Sequence, residues 1–399
     1  MQSNSREPGA PATANGIPLC VPEIRGNEWA YVKQCLDTNF VSSVGPFVTQ
    51  FEQAVAEYVG RPHAVATVNG TAALHVALLV CGVEPDDEVL VSTLTFIAPA
   101  NAIRYVGAWP VFIDAEPQYW QMDVEKAVAF LERRCDYRGG ELRNRVTGRR
   151  VRAILPVHIL GHPVEMGPLL DAARKFGLPV IEDATESLGA RYQGQMVGQL
   201  GDVACFSFNG NKLITTGAGG MLVTADPARA ARAKYLTTQA KDDPLEYVHR
   251  AVGFNYRLSN VQAALGVAQM ESIDAYVAAK RRIADAYAAG LDGVPGIAPM
   301  RQAGWAESVF WLYTVLVDEA TFGMTSRALL RQLDELGIQT RPLWQPGHLS
   351  PAHRGAFATD GSVAERLNRD ALSLPCSVGL APDAQARVIE AICAQGGTA

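Results

Sequence analysis

No stretch of about eighteen consecutive apolar residues occurs in this 399-residue chain, so it offers no spanning helix to a membrane. There is no excess of basic charge: 35 Lys and Arg stand against 41 Asp and Glu, a net charge of −6, where a nucleic-acid binder needs a basic face. The seven cysteines are scattered, odd in number and without a CxxC pair, which argues against a zinc or disulfide framework and for reduced thiols, most of them small core residues. No apolar central region follows the start, so no signal peptide is expected; Met1 to Asn15 reads as a polar, disordered leader. His158 and His162 flank a glycine at a spacing that hints at metal, but no Cys or acidic partner set completes a site. With 48% hydrophobic and 19% charged residues, the composition is that of an ordinary globular enzyme working in solution, with a cytoplasmic location expected.

Short apolar runs alternate with helical patterns. Strands are predicted over Ala64–Val68, Glu88–Ser92, Trp109–Asp114, Ala153–Val157, Pro179–Glu182 and Val203–Ser207. Helices are predicted over Glu28–Asp37, Pro46–Val59, Thr71–Cys81 and Ala98–Val106. This rhythm predicts an α/β fold with a mostly parallel sheet covered on both faces. Such sheets bind ligands at the C-terminal ends of their strands, where Asn69, Asp183 and Ser207 all fall. Ser259 to Leu291 reads as one long helix leading into a smaller C-terminal α/β domain, so the large domain is placed at residues 16–258 and the small one at 259–399. Strands there are expected over Phe310–Val317 and near Thr340, with helices over Ser326–Leu336 and Asp383–Ala394. The arginine-rich stretch Arg133 to Arg152 reads either as a solvated insertion loop or as a patch attracting an anionic substrate.

The chemistry concentrates around Lys212. It closes Ser207-Phe-Asn-Gly-Asn-Lys212, a Gly-rich turn follows, and an apolar run ending in Glu182-Asp183 lies about thirty residues upstream. The order acid, then Ser-x4-Lys, suits a pyridoxal phosphate (PLP) site. The lysine amine forms a Schiff base with the aldehyde, and the aspartate keeps the ring nitrogen protonated so that the ring acts as an electron sink. Ser207 and the Asn69-Gly70-Thr71-Ala72 turn offer hydroxyl and helix-start N–H groups to a phosphate. Glu186, one helical turn beyond Asp183, faces the same side.

Together with Ser43-Val-Gly-Pro46, Phe51-Glu52, Asn69 to Leu74, Thr95 to Asn101 and Gly253-Phe-Asn255-Tyr-Arg257, these motifs resemble the PLP-dependent nucleotide-sugar aminotransferases of the DegT/StrS type, from about Ile17 to the C-terminus. The resemblance implies a type I PLP-transferase fold. Lys212 and Asp183 are then the catalytic pair, with Gly70, Thr71, Ala72, Phe96, Glu186, Ser207 and Asn255 as cofactor contacts. Phe96 is expected to stack on the cofactor ring. Glu186 departs from the Gln or His common in relatives. Asn255 is implied to reach the cofactor phosphate of a neighbouring subunit, which implies a homodimer with shared active sites. Ser42, Ser43, Gly45, Arg257, Trp344 and His348 align with substrate contacts, Arg257 through an acidic group of the donor or the sugar diphosphate.

Glu182 to Ser187, Phe208 to Lys212 and Tyr235 to Asp243 are similar to one branch, which aminates UDP-linked 4-keto-6-deoxy-2-acetamido sugars on bacillosamine and legionaminic-type routes. The implied reaction moves an amino group from L-glutamate to the C4 ketone of UDP-2-acetamido-2,6-dideoxy-4-keto-hexose. The alternatives are a dTDP- or GDP-linked acceptor, a C3 ketone, or a non-catalytic regulator; the last would be expected to lack Lys212 or Asp183. A dehydratase branch replaces the lysine with histidine, and this chain keeps it.

Overall fold

The computed structural model describes residues 16–243 and 245–396; the expected leader at 1–15 lies outside them. Seven strands form the central sheet: β1 (His63–Thr67), β2 (Glu88–Ser92), β3 (Trp109–Ile113), β4 (Arg150–Leu155), β5 (Ile181–Asp183), β6 (Val203–Ser207) and β7 (Gly220–Thr224). The ladders β3–β2–β4 and β5–β6 are parallel, and the parallel bridges Ile154↔Val180 and Val157↔Asp183 join them. β7 runs antiparallel between β6 and β1, completing a curled, mostly parallel sheet of the type I PLP-transferase kind.

Alternation along each strand separates two cores. On β6, Val203 and Cys205 face the cluster that holds Leu74 and Leu78, whereas Ala204 and Phe206 face the cluster built on Phe51 and Phe208. The first cluster is supplied by α3 (Gly70–Val80) and the second by α2 (Pro46–Val59). With both faces covered, the strands are buried on both sides; all five residues of β2 are buried.

Three expectations need correction. β7 was hidden in the Gly-rich turn. Gly217 holds a left-handed φ of +80°, and a Cβ on Gly220 would lie 2.7 Å from the Gly70 nitrogen, so only glycine lets this strand lie against the start of α3. The helix expected over Ser259–Leu291 is two, α8 (Asn260–Met270) and α9 (Ile273–Gly290), broken at Glu271–Ser272. Glu271 accepts bonds there from Asn27 Nδ2 at 2.7 Å and Tyr31 Oη at 2.6 Å, which tie α8 to α1 (Glu28–Asp37). The Arg133–Arg152 stretch is not a loop: Cys135–Arg138 and Glu141–Asn144 form a hairpin that pairs with β4 at Val151 and Arg150.

That hairpin sits at the start of β4, at the opposite end of the sheet from Asp183. Its arginines are matched. Arg145 meets Asp136 at 2.8 Å, Arg143 meets Glu141 at 2.7 Å, and Arg150 meets Asp87 at 2.7 Å and Glu84 at 2.8 Å. The reading as a patch steering substrate to the cavity is therefore set aside. Beyond α9, the strands β8 (Ile297–Pro299), β9 (Tyr313–Val317) and β10 (Ala371–Leu374) form an antiparallel sheet in the order β8–β9–β10, flanked by helices at Ser326–Glu335 and Pro382–Gln395. Near Thr340 there are isolated bridges, Ile17↔Ile338 and Arg341↔Ser373, rather than a strand.

Candidate active site

A cavity of about 340 Å³ opens at the C-terminal ends of β1, β5 and β6. Gly70, Thr71, Phe96, Asp183, Glu186, Ser207, Lys212 and Trp344 line it, so eight of the residues singled out in sequence meet in one place.

Lys212 projects into the cavity from the turn after β6, its N–H bonded to Asn209 O. Its Nζ lies 3.5 Å from Glu186 Oε1 and 4.0 Å from the centroid of the Trp311 ring. Trp311 carried no signal in the sequence beyond an apolar strand start. In the fold its indole N–H donates to Asn211 O at 2.7 Å and its ring lies parallel to that of Trp344, 6.5 Å away. Asn209, Asn211, Thr95 and Thr185 also line the cavity and were not anticipated.

Asp183 ends β5 and is buried; its Oδ1 accepts the Thr185 N–H at 3.1 Å. Burial raises its carboxyl above the ordinary range, opposed by the Thr185 bonds and the Lys212 charge. Glu186 is buried as well, and Oε2 accepts the Leu160 N–H at 2.8 Å. Burial pushes its carboxyl up to about 7, against the pull of the Lys212 charge and the Leu160 bond. Two carboxyls and one ammonium thus share a partly desolvated wall.

The opposite wall is the start of α3. Asn69 caps the helix, and its Oδ1 takes the Ala72 N–H at 2.8 Å. That bond corrects the expectation for Ala72, whose N–H is engaged by the cap. The N–H groups of Gly70 and Thr71 belong to the first turn, which has no intrahelical acceptors. A Cβ on Gly70 would lie 2.9 Å from Ser207 Cβ, so glycine here lets the helix start and the serine close on one point. Two N–H groups, two hydroxyls and a helix N-terminus make an anion cradle that fits a phosphate, while Lys212 and Asp183 fit an aldehyde and a ring nitrogen across the cavity.

The remaining candidates lie off this wall. His348 is held between Thr93 Oγ1 at 2.7 Å and Glu365 Oε1 at 3.1 Å. Ser42 is exposed and its carbonyl accepts the Asn260 N–H at 2.6 Å; Ser43 is half-buried. Gly45 leaves no space for a side chain against Asn260. Asn255 is exposed, and Arg257 is half-buried with a buried Nε that has no hydrogen-bond partner among the described residues. His158 donates to or accepts from Glu182 at 3.2 Å and His162 bonds Pro163 O at 2.7 Å. Among the described residues, no three His, Cys, Asp or Glu side chains are gathered to hold a metal ion.

The model of the DegT/DnrJ/EryC1/StrS aminotransferase family matches residues 22–393. The chain belongs to that family. A GDP-perosamine synthase of Caulobacter vibrioides is 41% identical over 377 residues, 94% of this chain and 97% of that protein. A dTDP-3-amino-3,4,6-trideoxy-alpha-D-glucose transaminase of Streptomyces venezuelae is 33% identical over 98% of this chain and 97% of that protein. Among solved structures, the aminotransferase TlmJ of Streptoalloteichus hindustanus superposes with a TM-score of 0.86 at 27% identity, covering 95% of this chain and 98% of that one. This family member is a PLP-dependent sugar-nucleotide aminotransferase, as its motifs led us to expect. The relatives named here carry GDP and dTDP sugars in their names, so the narrower likeness to the UDP-linked branch is not what they single out. Among the described residues, no helix is long and apolar enough to cross a membrane.

Proposed function

We propose that the chain transfers an amino group from L-glutamate to the C4 ketone of a nucleotide-linked 6-deoxy sugar, with a GDP-linked sugar as the preferred acceptor. The observation that carries the chemistry is the convergence of Lys212, Asp183 and the Gly70–Thr71–Ser207 cradle on one cavity. The 41% identity to a GDP-perosamine synthase favours the nucleotide. The dTDP-linked acceptor is the second reading, on the strength of the transaminase at 33% identity.

In this reading PLP, when bound, supplies the electron sink that stabilises negative charge at the carbon bearing the amine. Lys212 would hold the cofactor through its aldehyde, and its ε-amine, when free, would move a proton at the substrate carbon. Asp183 would hold the ring nitrogen in its protonated form. Glu186, close to Lys212, takes or returns a proton at its carboxyl. Gly70, Thr71 and Ser207 would hold the phosphate, and Phe96 would contact the ring. Trp311 and Trp344 exclude water from the side where Lys212 enters.

The same reading makes the protein a homodimer with shared sites. Asn255 and Arg257 of one copy would complete the cavity of the other, Asn255 at the phosphate and Arg257 at an acidic group. Exposed Leu245, Tyr247 and Val252 beside this segment support such a covered face. Ser42, Ser43, Gly45 and His348 are kept as substrate-side residues, and the division into residues 16–258 and 259–399 as the domain scheme. The test is a panel of GDP-, dTDP- and UDP-linked keto sugars offered with L-glutamate, read by product mass and NMR. Fastest amination of the GDP sugar is expected. Preference for the UDP sugar would restore the narrower likeness, and no amination of any would remove the reading.

A further inference from the structure

Behind the Lys212 wall lies a buried cluster that the transfer reaction does not use. Lys280, on α9, is 1% exposed, and its Nζ donates to Trp311 O at 2.7 Å and to Cys376 O. The same Nζ stands 3.5 Å from Cys376 Sγ and 4.0 Å from Cys20 Sγ. Among the described residues no carboxylate pairs with it; the ammonium is met by carbonyls and two sulfurs. The Cys376 thiol donates to Trp311 O at 3.3 Å, the carbonyl that Lys280 also holds. The backbones of the two cysteines run side by side, the Cys376 N–H on Leu19 O at 2.8 Å and the Val21 N–H on Ser377 Oγ at 3.0 Å. Cysteines on adjacent, hydrogen-bonded segments are within the reach a disulfide needs.

We propose that Cys20 and Cys376 form a redox-sensitive thiol pair, closed to a disulfide by a hydroperoxide and coupled to the loop that carries Lys212. The coupling is structural. Cys20 Sγ donates to Asn211 O at 3.2 Å, and Asn211 precedes Lys212 and accepts the Trp311 indole N–H as well. Lys280 prepares the pair: a fixed ammonium beside two sulfurs favours a thiolate. Burial raises the Cys376 thiol, but the neighbouring Cys20 and the Lys280 charge outweigh it and the net direction is down, while Cys20 is pushed up by Cys376 and by burial. Cys20 is the partly exposed member of the pair, and once its proton passes to Cys376 it carries the thiolate that a peroxide can reach.

The thiolate of Cys20 attacks the peroxide. An S–O bond forms, the O–O bond breaks, and the departing hydroxide takes the proton from Cys376 to leave as water. The Cys376 sulfur then attacks Cys20 Sγ. The S–S bond forms, the S–O bond breaks, and the second oxygen leaves as water with the proton that the buried Lys280 gives up. Two thiols and one peroxide become one disulfide and two waters. The Cys20 bond to Asn211 O is lost, and Lys280 loses its anionic neighbour.

The test treats the cofactor-loaded full-length protein with hydrogen peroxide, quenches with an alkylating agent under denaturing conditions, and maps peptides without reduction. The exposed Cys393 reports that oxidant was present. A peptide joining Cys20 to Cys376, lighter by two hydrogens, is expected, with turnover falling in step and restored by dithiothreitol. Cys20→Ser is expected to keep its turnover through the same treatment. The proposal fails if both thiols stay alkylatable while Cys393 is oxidised, if Cys376 is instead joined to Lys280 through one oxygen, or if Cys20→Ser is inactivated as fast as the parent.

Discussion

Lys212 Nζ stands 3.5 Å from Glu186 Oε1, closer to that carboxyl than to the Trp311 ring at 4.0 Å. An ammonium held between an acid and an aromatic face is fixed in direction while remaining free of any second ion pair among the described residues. This arrangement suits a lysine that has to part from one covalent partner and deliver a proton to a nearby atom.

Lys212→Ala is expected to abolish turnover and leave the fold intact. The side chain is partly exposed in the cavity and its removal leaves no buried charge unmatched, because Glu186 at about 7 accepts a proton. Circular dichroism and a turnover assay check this. Borohydride should fix cofactor to the parent protein and not to the variant; trapping on another lysine would reassign the role.

Asp183→Asn is expected to keep the cofactor attached to Lys212 but to slow turnover by a few kcal/mol in barrier, the scale on which removing one preorganised charge acts. An amide cannot hold the charge on a protonated ring nitrogen. Turnover near that of the parent protein would take Asp183 out of this role.

Glu186 makes stability depend on pH in the cofactor-free protein. Its carboxyl is raised from 4.5 to about 7 in the folded chain, so between those values the folded state holds a proton that the unfolded state has lost. The protonated carboxyl therefore favours folding fully at low pH, and that contribution fades as pH climbs through about 7. The amount at stake is on the order of 2–4 kcal/mol. Urea titrations between pH 5 and 8 should show the parent losing stability where Glu186→Gln does not; parallel curves would overturn the assignment.

Two inactive variants are expected to rescue one another. If Asn255 and Arg257 serve the neighbouring copy, a mixed dimer of Lys212→Ala with an Asn255→Ala, Arg257→Ala chain carries both lesions in one site and none in the other. Coexpression with two affinity tags should recover a substantial share of the parent's turnover. Doubly tagged dimers that stay inactive, or a fully active monomer, would defeat the shared-site reading.

Gly70→Ala is expected to weaken cofactor binding more than folding. The added methyl would press on Ser207 Cβ at 2.9 Å and Thr185 Cγ2 at 3.2 Å, spreading the cradle rather than the core. Equilibrium titration with PLP, set beside thermal unfolding of the cofactor-free chain, separates the two effects.

Local pattern was enough for much of this protein. Glu88–Ser92 and Val203–Ser207 announce themselves as apolar runs between breakers, and the acid, serine and lysine of the cofactor site sit at strand ends that follow from those runs. α1 and α2 begin and end where their periodicity does, with Gly60 left-handed at the close of α2. These features depend on neighbours a few residues apart, and spacing encodes them directly. Tertiary structure decided the rest. Trp311 reaches Lys212 from a segment about a hundred residues later, through a bond to Asn211 O that no periodicity reports. The break between α8 and α9 follows from Tyr31 and Asn27 holding Glu271. Arg150, beside the hairpin, is matched because Asp87 and Glu84, far back in the chain, lie next to it. The Ala72 N–H was lost to the phosphate reading by one cap bond. In each case the deciding partner is chosen by how distant segments pack, and the energy of that contact exists only once the chain is folded.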